Sequence, residues 1–456
     1  MSGPVAFYDI HFHALTLSHP NFLSFIDTMR NRRLESLYAQ ASSPNYLVGA
    51  LFMKGGERVR NMLAVMENDV GGIFSLMEDD LAGKYAKPGD RPPLLSRGEL
   101  NLGRLAFDRI VAVPLIMDFE MPSLSPSDTY YDKPPAKDVR AQVRDILGGI
   151  CDYRRARPDG FLELRPFLGV NTKNHSMESL EALLEESFAT YRRGAAASHE
   201  AFLDMERWDR DPSPACGNVF AGVKVYPPLG FDPWPEPGPE RDKVDFLFSF
   251  CERKDIPVTS HCDDQGFRVI PLEEAWTYTS PARWRKALEA HPDLRLDLAH
   301  FGAQYSLPIR RGQGGEKPEA ESHNAFSGGR RPFRKAVVEK TVSAGKALKN
   351  ALTPSTEWAE EIVRLMVDFP RVYTDISFNG TEAAFYSELV GFLDRFSPAV
   401  RELATERIMF GSDFLVNLTK VRSYSDYYRV FSDSGLPDEW KRRFGHDNPE
   451  RFLVGD

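Results

Sequence analysis

Four histidines and an aspartate stand at the ends of short apolar runs. His11 and His13 close VAFYDIHFH, His261 closes IPVTSH, His300 closes LRLDLAH, and Asp413 follows IMF through a Gly-Ser turn. In an extended strand, residues i and i+2 share a face, so His11 and His13 are expected to converge on one ion. Ile10 and Phe12 would then face the helix layer. Any one strand-end histidine is most simply an ordinary polar residue. Strands of a barrel, however, all open on one mouth, where these side chains would meet. Imidazoles together with a carboxylate suit a borderline-soft divalent ion such as zinc. Lys224 is the anomaly, an ammonium inside the otherwise apolar run VFAGVKVY. Burial depresses a lysine's pKa, and the neutral amine reacts with carbon dioxide to give a carbamate that can ligate metal. The simpler alternative is a lysine at the strand end, salt-bridged toward solvent. Cys262 adjoins His261, but neighbours in a strand point to opposite faces, so the two do not form a nucleophile and base.

The elements that must position these groups are eight short runs. They span 5–13, 109–118, 164–171, 219–226, 256–261, 294–300, 372–377 and 407–413, each bounded by turn-formers. Their Val, Ile, Leu and Phe content predicts buried strands. Helix-periodic segments separate most of them. Thr356–Phe369 places Trp358, Ile362, Leu365 and Met366 on one face, and Asp242–Lys254 does so with Val244, Leu247, Phe248 and Cys251. Eight strands alternating with helices predict an α/β fold, a distorted (β/α)8 TIM barrel. A doubly wound open sheet lacks support, because no Gly-rich phosphate loop follows the first strand. The chain has 456 residues, well beyond the ~250 of a plain barrel. A single domain with large insertions near 21–105, 123–160, 171–215 and 305–355 is therefore expected, each after a strand and hence at the catalytic face. Within the last, Arg310–Asn350 is basic and Gly-rich, read as solvated surface or an anion-attracting lid.

Lys plus Arg number 57 against 66 Asp plus Glu, a formal charge of −9, which argues against nucleic-acid or membrane-surface binding. Four scattered cysteines with no C-x-x-C pair fit a reducing, cytoplasmic setting. Neither a signal peptide nor a transmembrane run is visible. Tyr226, His175 and Asp375 sit at or near strand ends and are candidates to line a substrate pocket.

Together, H-x-H at His11/His13, VKVYPP around Lys224, TSH at His261, LAHFG at His300, FGSD at Asp413 and the closing GHDNPERFL resemble the amidohydrolase superfamily. The likeness is greatest to its amidohydrolase-related branch of metal-dependent hydrolases and decarboxylases. The landmarks run from residue 9 to 453. The resemblance implies one or two zinc ions. In the binuclear pattern, His11, His13 and Asp413 hold one ion, His261 and His300 the other, and carboxylated Lys224 bridges them. In the mononuclear pattern, His11, His13, His261 and Asp413 bind one ion and His300 polarises the substrate. The implied activity is hydrolysis of an amide, lactone or ester of a small organic substrate by a metal-activated water, with Asp413 as general base. Non-oxidative decarboxylation is the rival chemistry, and a non-catalytic ligand- or partner-binding barrel the rival of another class. A homodimer is a further expectation from the resemblance.

Overall fold

The computed structural model describes residues 5–17, 56–119, 139–193, 219–264, 266, 268–304 and 356–455. The 305–355 insertion, including the basic Arg310–Asn350 stretch, lies outside the described residues. Twelve strands are described: β1 (Ala6–Phe12), β2 (Leu95–Ser96), β3 (Glu99–Leu102), β4 (Leu105–Phe107), β5 (Arg109–Pro114), β6 (Leu162–Leu164), β7 (Phe167–Gly169), β8 (Gly222–Val225), β9 (Val258–Ser260), β10 (Leu296–Leu298), β11 (Val372–Asp375) and β12 (Ile408–Met409). Each of the eight apolar runs contains or adjoins a strand.

The fold is α/β with parallel sheets. One sheet has the order β1-β5-β6 and a second the order β12-β11-β10-β9-β8-β7, with every pairing parallel. The sheets meet at both borders. Phe12 bridges Phe414, and the Asp413 N–H donates to the His11 carbonyl at 2.7 Å. At the other border Leu115 bridges Phe167, and the Ile116 N–H donates to the Phe167 carbonyl at 3.1 Å. The run expected as the third strand is broken at Arg165-Pro166, since proline has no N–H to give a ladder. Its first half pairs with β5 and its second half with β8.

Side chains sort to two sides of these sheets. Leu296, Leu298, Val223 and Val225 pack outward with Val244, Leu247, Phe248 and Trp284. The helices Pro239–Lys254 and Glu357–Asp368 bury the residues their periodicity marks. Ala6, Tyr8 and Ile10 instead cluster with Val111, Val113, Phe167, Tyr373 and Met409, side chains contributed by the strands themselves, with Phe452 from the last helix. Ile10 therefore does not face the helix layer, contrary to strict alternation, whereas Phe12 does. The pairing of β1 with β5 slips between Asp9 and Phe12. Such an irregularity re-aims the side chains beyond it.

Part of the expected 21–105 insertion is built from two helices, Gly56–Met66 and Val70–Leu81, and an antiparallel sheet β2-β3-β4. That sheet was absent from the strand reading because its strands are short. Its turn at Arg97-Gly98, with φ of 56° and 77°, suits the left-handed two-residue loop of a tight hairpin. No helix among the described residues is long and apolar enough to cross a membrane.

The junction of β1 and β12 is plugged by Phe410, fully buried, with ring centroids 4.9 Å from Phe7, 4.8 Å from Phe431 and 5.0 Å from Tyr428. Phe410→Ala is expected to lower stability by ~3–5 kcal/mol through lost burial and a residual cavity. Chemical denaturation measures this, and a loss below ~1 kcal/mol would contradict the packing.

Candidate metal centre

The strand ends deliver a compact set of buried side chains. Asp375, the last residue of β11, is fully buried. Its Oδ2 accepts from His11 Nδ1 at 2.8 Å, and its Oδ1 accepts the His300 N–H at 3.0 Å and the Ser377 N–H at 2.9 Å. The Ser377 hydroxyl also donates to that Oδ1. Burial alone would raise this carboxyl, yet His11, His300 and Ser377 hold it well below the usual carboxylate range. His13 Nδ1 donates to the Leu115 carbonyl at 3.2 Å, and His300 Nδ1 to the Ser377 carbonyl at 3.1 Å. In each of the three rings Nδ1 is committed to an oxygen acceptor. These partners assign the tautomer that leaves Nε2 with a bare lone pair.

Two of those lone pairs face Asp413. His11 Nε2 lies 3.9 Å and His13 Nε2 3.6 Å from Asp413 Oδ1. Asp413 has φ of 55°, a left-handed conformation that a non-glycine residue keeps only where its neighbours enforce it. Here the Asn417 N–H donates to the Asp413 carbonyl at 3.0 Å and Asn417 Nδ2 to the Ser412 carbonyl at 2.9 Å. On the other flank, His261 Nδ1 is 3.1 Å from His300 Nε2, and His261 Nε2 is 2.9 Å from Asp263 Oδ1. A neutral imidazole has one N–H and cannot donate to both partners. A cation among these three residues would satisfy all of them.

The donor set fits a divalent ion. The triads His11/His13/Asp413, His11/His300/Asp375 and His261/Asp263/His300 each bring their ligand atoms within 4.8 Å of one another, all buried. Burial drives His11 well below its ordinary pKa, His13 down to about 3 and His300 to about 4. All three imidazoles are thus neutral at physiological pH, the form that ligates metal. The oxygen acceptors behind Nδ1 are what metal-bound histidines require to fix their orientation.

Lys224 is buried, and its Nζ has no hydrogen-bond partner in the described structure. Desolvation pulls it down to about 8, against the attraction of Asp375, Asp297, Asp413 and Asp263. This is not the solvent-side salt bridge of the simpler alternative. Asp297 is equally buried, and its Oδ1 is likewise without a partner. Lys224, Thr259 and Asp297 occupy paired positions on β8, β9 and β10, and Thr259 donates to Asp297 Oδ2 at 3.0 Å.

The candidate pocket residues divide. The Tyr226 ring stands 4.6 Å from the His261 ring. His175 Nε2 lies 3.0 Å from Asp118, which also accepts the Asn171 N–H at 2.9 Å. Asp375, by contrast, lies behind the imidazoles with both oxygens engaged. Cys262 turns away, its thiol toward the Thr279 carbonyl at 3.4 Å. Sequence reading missed Asp263, Asp297 and Ser377. The first has the same i+2 spacing from His261 that His13 has from His11, and the second alternates with Leu296 and Leu298 inside a strand.

Residues 344–454 match the family model described as Amidohydrolase, a stretch that includes Asp375, Ser377, the FGSD turn of Asp413 and the closing GHDNPERFL. Over that stretch, about a quarter of the chain, the sequence is similar to the amidohydrolases. The match supports an enzyme of the amidohydrolase type. No curated protein matches the sequence. Among solved structures, 2,6-dihydroxybenzoate decarboxylase complexed with 2,6-dihydroxybenzoate aligns at 10% identity over 99% of both chains, with a TM-score of 0.41. A probable 2-pyrone-4,6-dicarboxylic acid hydrolase from Acinetobacter baumannii aligns at 12% identity over 77% of this chain and 84% of its own, with a TM-score of 0.37. A zinc-bound amidohydrolase from Burkholderia ambifaria aligns at 11% identity over 99% and 86%, also with a TM-score of 0.37.

In the metal-free enzyme the Lys224 ammonium is a burden on folding. Its pKa falls from 10.5 to about 8, so below pH 8 both folded and unfolded chains hold the proton and the whole penalty is present. As pH rises from 8 to 10.5 the penalty fades. Lys224→Met is expected to stabilise the metal-free enzyme at pH 7 by on the order of 3 kcal/mol, with the gain vanishing toward pH 10.5. Denaturant titrations across that range measure it. A gain that does not depend on pH would refute the assignment.

Proposed function

We propose that this enzyme is a metal-dependent hydrolase that cleaves an amide, lactone or ester bond of a small organic substrate. The observation that carries the reading is the approach of two buried, neutral imidazoles, through Nε2, to the Asp413 carboxylate. In this reading His11, His13 and Asp413 hold one zinc, while His261 and His300, joined by Asp263, hold a second. Lys224, buried and unpartnered, is the carrier of the carbamate. The two sheets, bridged at both borders, are read as arcs of one distorted (β/α)8 barrel forming a single domain.

Bound there, such an ion lowers the pKa of a water toward neutrality and polarises the carbonyl to be attacked. The chain's own residues do the rest. Asp413 Oδ1 takes a proton from the attacking water and returns it to the leaving group. Burial raises the Asp413 carboxyl and strengthens it as an acceptor. Asp375 orients His11 and His300 rather than touching substrate, because its oxygens are already engaged. Tyr226, with Met117, Phe119, Leu229 and Val269, forms an apolar wall that excludes water. His175 is held by Asp118, which lines a small cavity with Lys224 and Tyr226.

Non-oxidative decarboxylation draws on one specific feature, His300. Its Nδ1 is anchored by Ser377, so its bare Nε2 can accept a proton from a substrate hydroxyl and return that proton to the ring carbon as the bond to carbon dioxide breaks.

Elemental analysis of purified protein is expected to find one or two zinc ions per chain. His11→Ala with His13→Ala should abolish zinc retention while the circular-dichroism spectrum persists. Asp413→Asn should lower kcat by ~10²–10⁴ on whichever ester, lactone or amide of a small-molecule panel is turned over. Wild-type zinc content in the double variant would refute the ligand assignment. Carbon dioxide release from aryl acids, with no hydrolysis across the panel, would replace hydrolase with decarboxylase.

A further inference from the structure

The helix Tyr424–Asp433 packs outside the strand ends that carry His11, His13 and Asp413. Tyr424, Tyr427 and Tyr428 follow i, i+3, i+4 spacing and so share one face, and all three are buried. The Tyr424 hydroxyl donates to Asp9 Oδ2 at 2.9 Å and the Tyr428 hydroxyl to the same oxygen at 3.3 Å, and the two hydroxyls are 2.7 Å apart. Tyr427 reaches elsewhere, donating to the Ile376 carbonyl at 3.1 Å. The other Asp9 oxygen, Oδ1, accepts the Ser412 N–H at 2.8 Å.

One carboxylate thus ties together two strands. Asp9 lies on β1 two residues before His11, and Ser412 directly precedes Asp413. The Asp9–Ser412 bond therefore sets the spacing between the His11/His13 pair and the carboxylate facing it. It also helps hold the turn in which Asp413 keeps its left-handed backbone. The two tyrosine hydroxyls are what fix Asp9 on the side away from Ser412. Without them a buried carboxylate oxygen loses both donors and must shift to find others.

We propose that Tyr424 and Tyr428, acting through Asp9, are positioning residues for Asp413 and determine how tightly the centre holds its ion. This rests on the reading of Asp413 as a metal ligand. Removing only the hydroxyls keeps the rings that pack on Phe414, Phe410 and Phe7, so packing and positioning can be separated.

The test is zinc affinity, measured by competition with a chromogenic chelator, and the visible spectrum of the cobalt(II)-loaded protein. Tyr424→Phe with Tyr428→Phe should raise the zinc Kd by ~10–100-fold and shift the cobalt bands. Phe431→Leu, on the same helix and packed on Phe410 without a hydroxyl, should lower the melting temperature yet leave the zinc Kd within about twofold of wild type, since it removes no partner of Asp9. If the double variant does not fold, Tyr424→Phe alone is read in the same way against Phe431→Leu. Equal zinc affinity in wild type and the tyrosine variants would overturn the proposal, as would an equal loss in Phe431→Leu. A wild-type protein that takes up no zinc would overturn the metal reading itself, a result distinct from either.

Discussion

The carboxylate of Asp375 is the constraint around which the centre is organised. Two oxygens with no access to water collect donors from His11, from the His300 backbone and from Ser377, so three strand ends are held to one point. Hydrogen bonds to a charged group contribute ~1.5–3 kcal/mol each, well above neutral ones. The pairing also decides chemistry. By taking the Nδ1 proton of His11, Asp375 turns the opposite nitrogen outward as a donor. Ser377, engaged by the same carboxylate, does this for His300 through its own carbonyl. Tautomer, ring orientation and strand spacing follow from one buried anion.

Dryness around that anion has a second effect. Neutral imidazoles are favoured because an imidazolium cannot be solvated there, and Lys224 is pulled down for the same reason. The charge of Asp375 is tolerated because both its oxygens find donors. Lys224 Nζ and Asp297 Oδ1, on neighbouring positions across β8 to β10, have no such partner. Native interiors rarely keep orphaned polar atoms, and this pair lies beside the imidazole cluster. The Tyr424–Tyr428–Asp9 network lies on the opposite side of β1 and belongs to the scaffold, as its full set of partners shows.

Much of this was legible from residue types alone, because parallel strands are short, apolar and end where function begins. His11, His13, His261, His300 and Asp413 each close or follow such a run, and the runs coincide with strands. What could not be read locally depends on contacts between distant segments. Asp375 resembles a pocket residue in sequence, and only the approach of β1 to β11 shows that its oxygens are spoken for. The slip in β1 breaks the two-residue alternation that would have turned Ile10 toward the helices. The β2-β3-β4 sheet escaped because strands of two to four residues carry too little hydrophobic pattern to be told from a loop. Tyr424 and Tyr428 read only as helix-face aromatics, since nothing near them in sequence names Asp9, more than four hundred positions earlier.

The turn after β10 has a consequence for how this chain can diverge. His300, Phe301 and Gly302 all have positive φ, of 62°, 49° and 61°. Ideal Cβ placement at Gly302 meets Ile362 and Trp358 at 2.9 Å. A β-branched residue is disfavoured at the first two positions by backbone geometry, and any side chain is disfavoured at the third by both geometry and crowding. The tetrapeptide Ala299–Gly302 is therefore a bottleneck in sequence space: the surrounding loops can lengthen, shorten or change composition, while this corner admits almost no alternatives without swinging the imidazole out of reach.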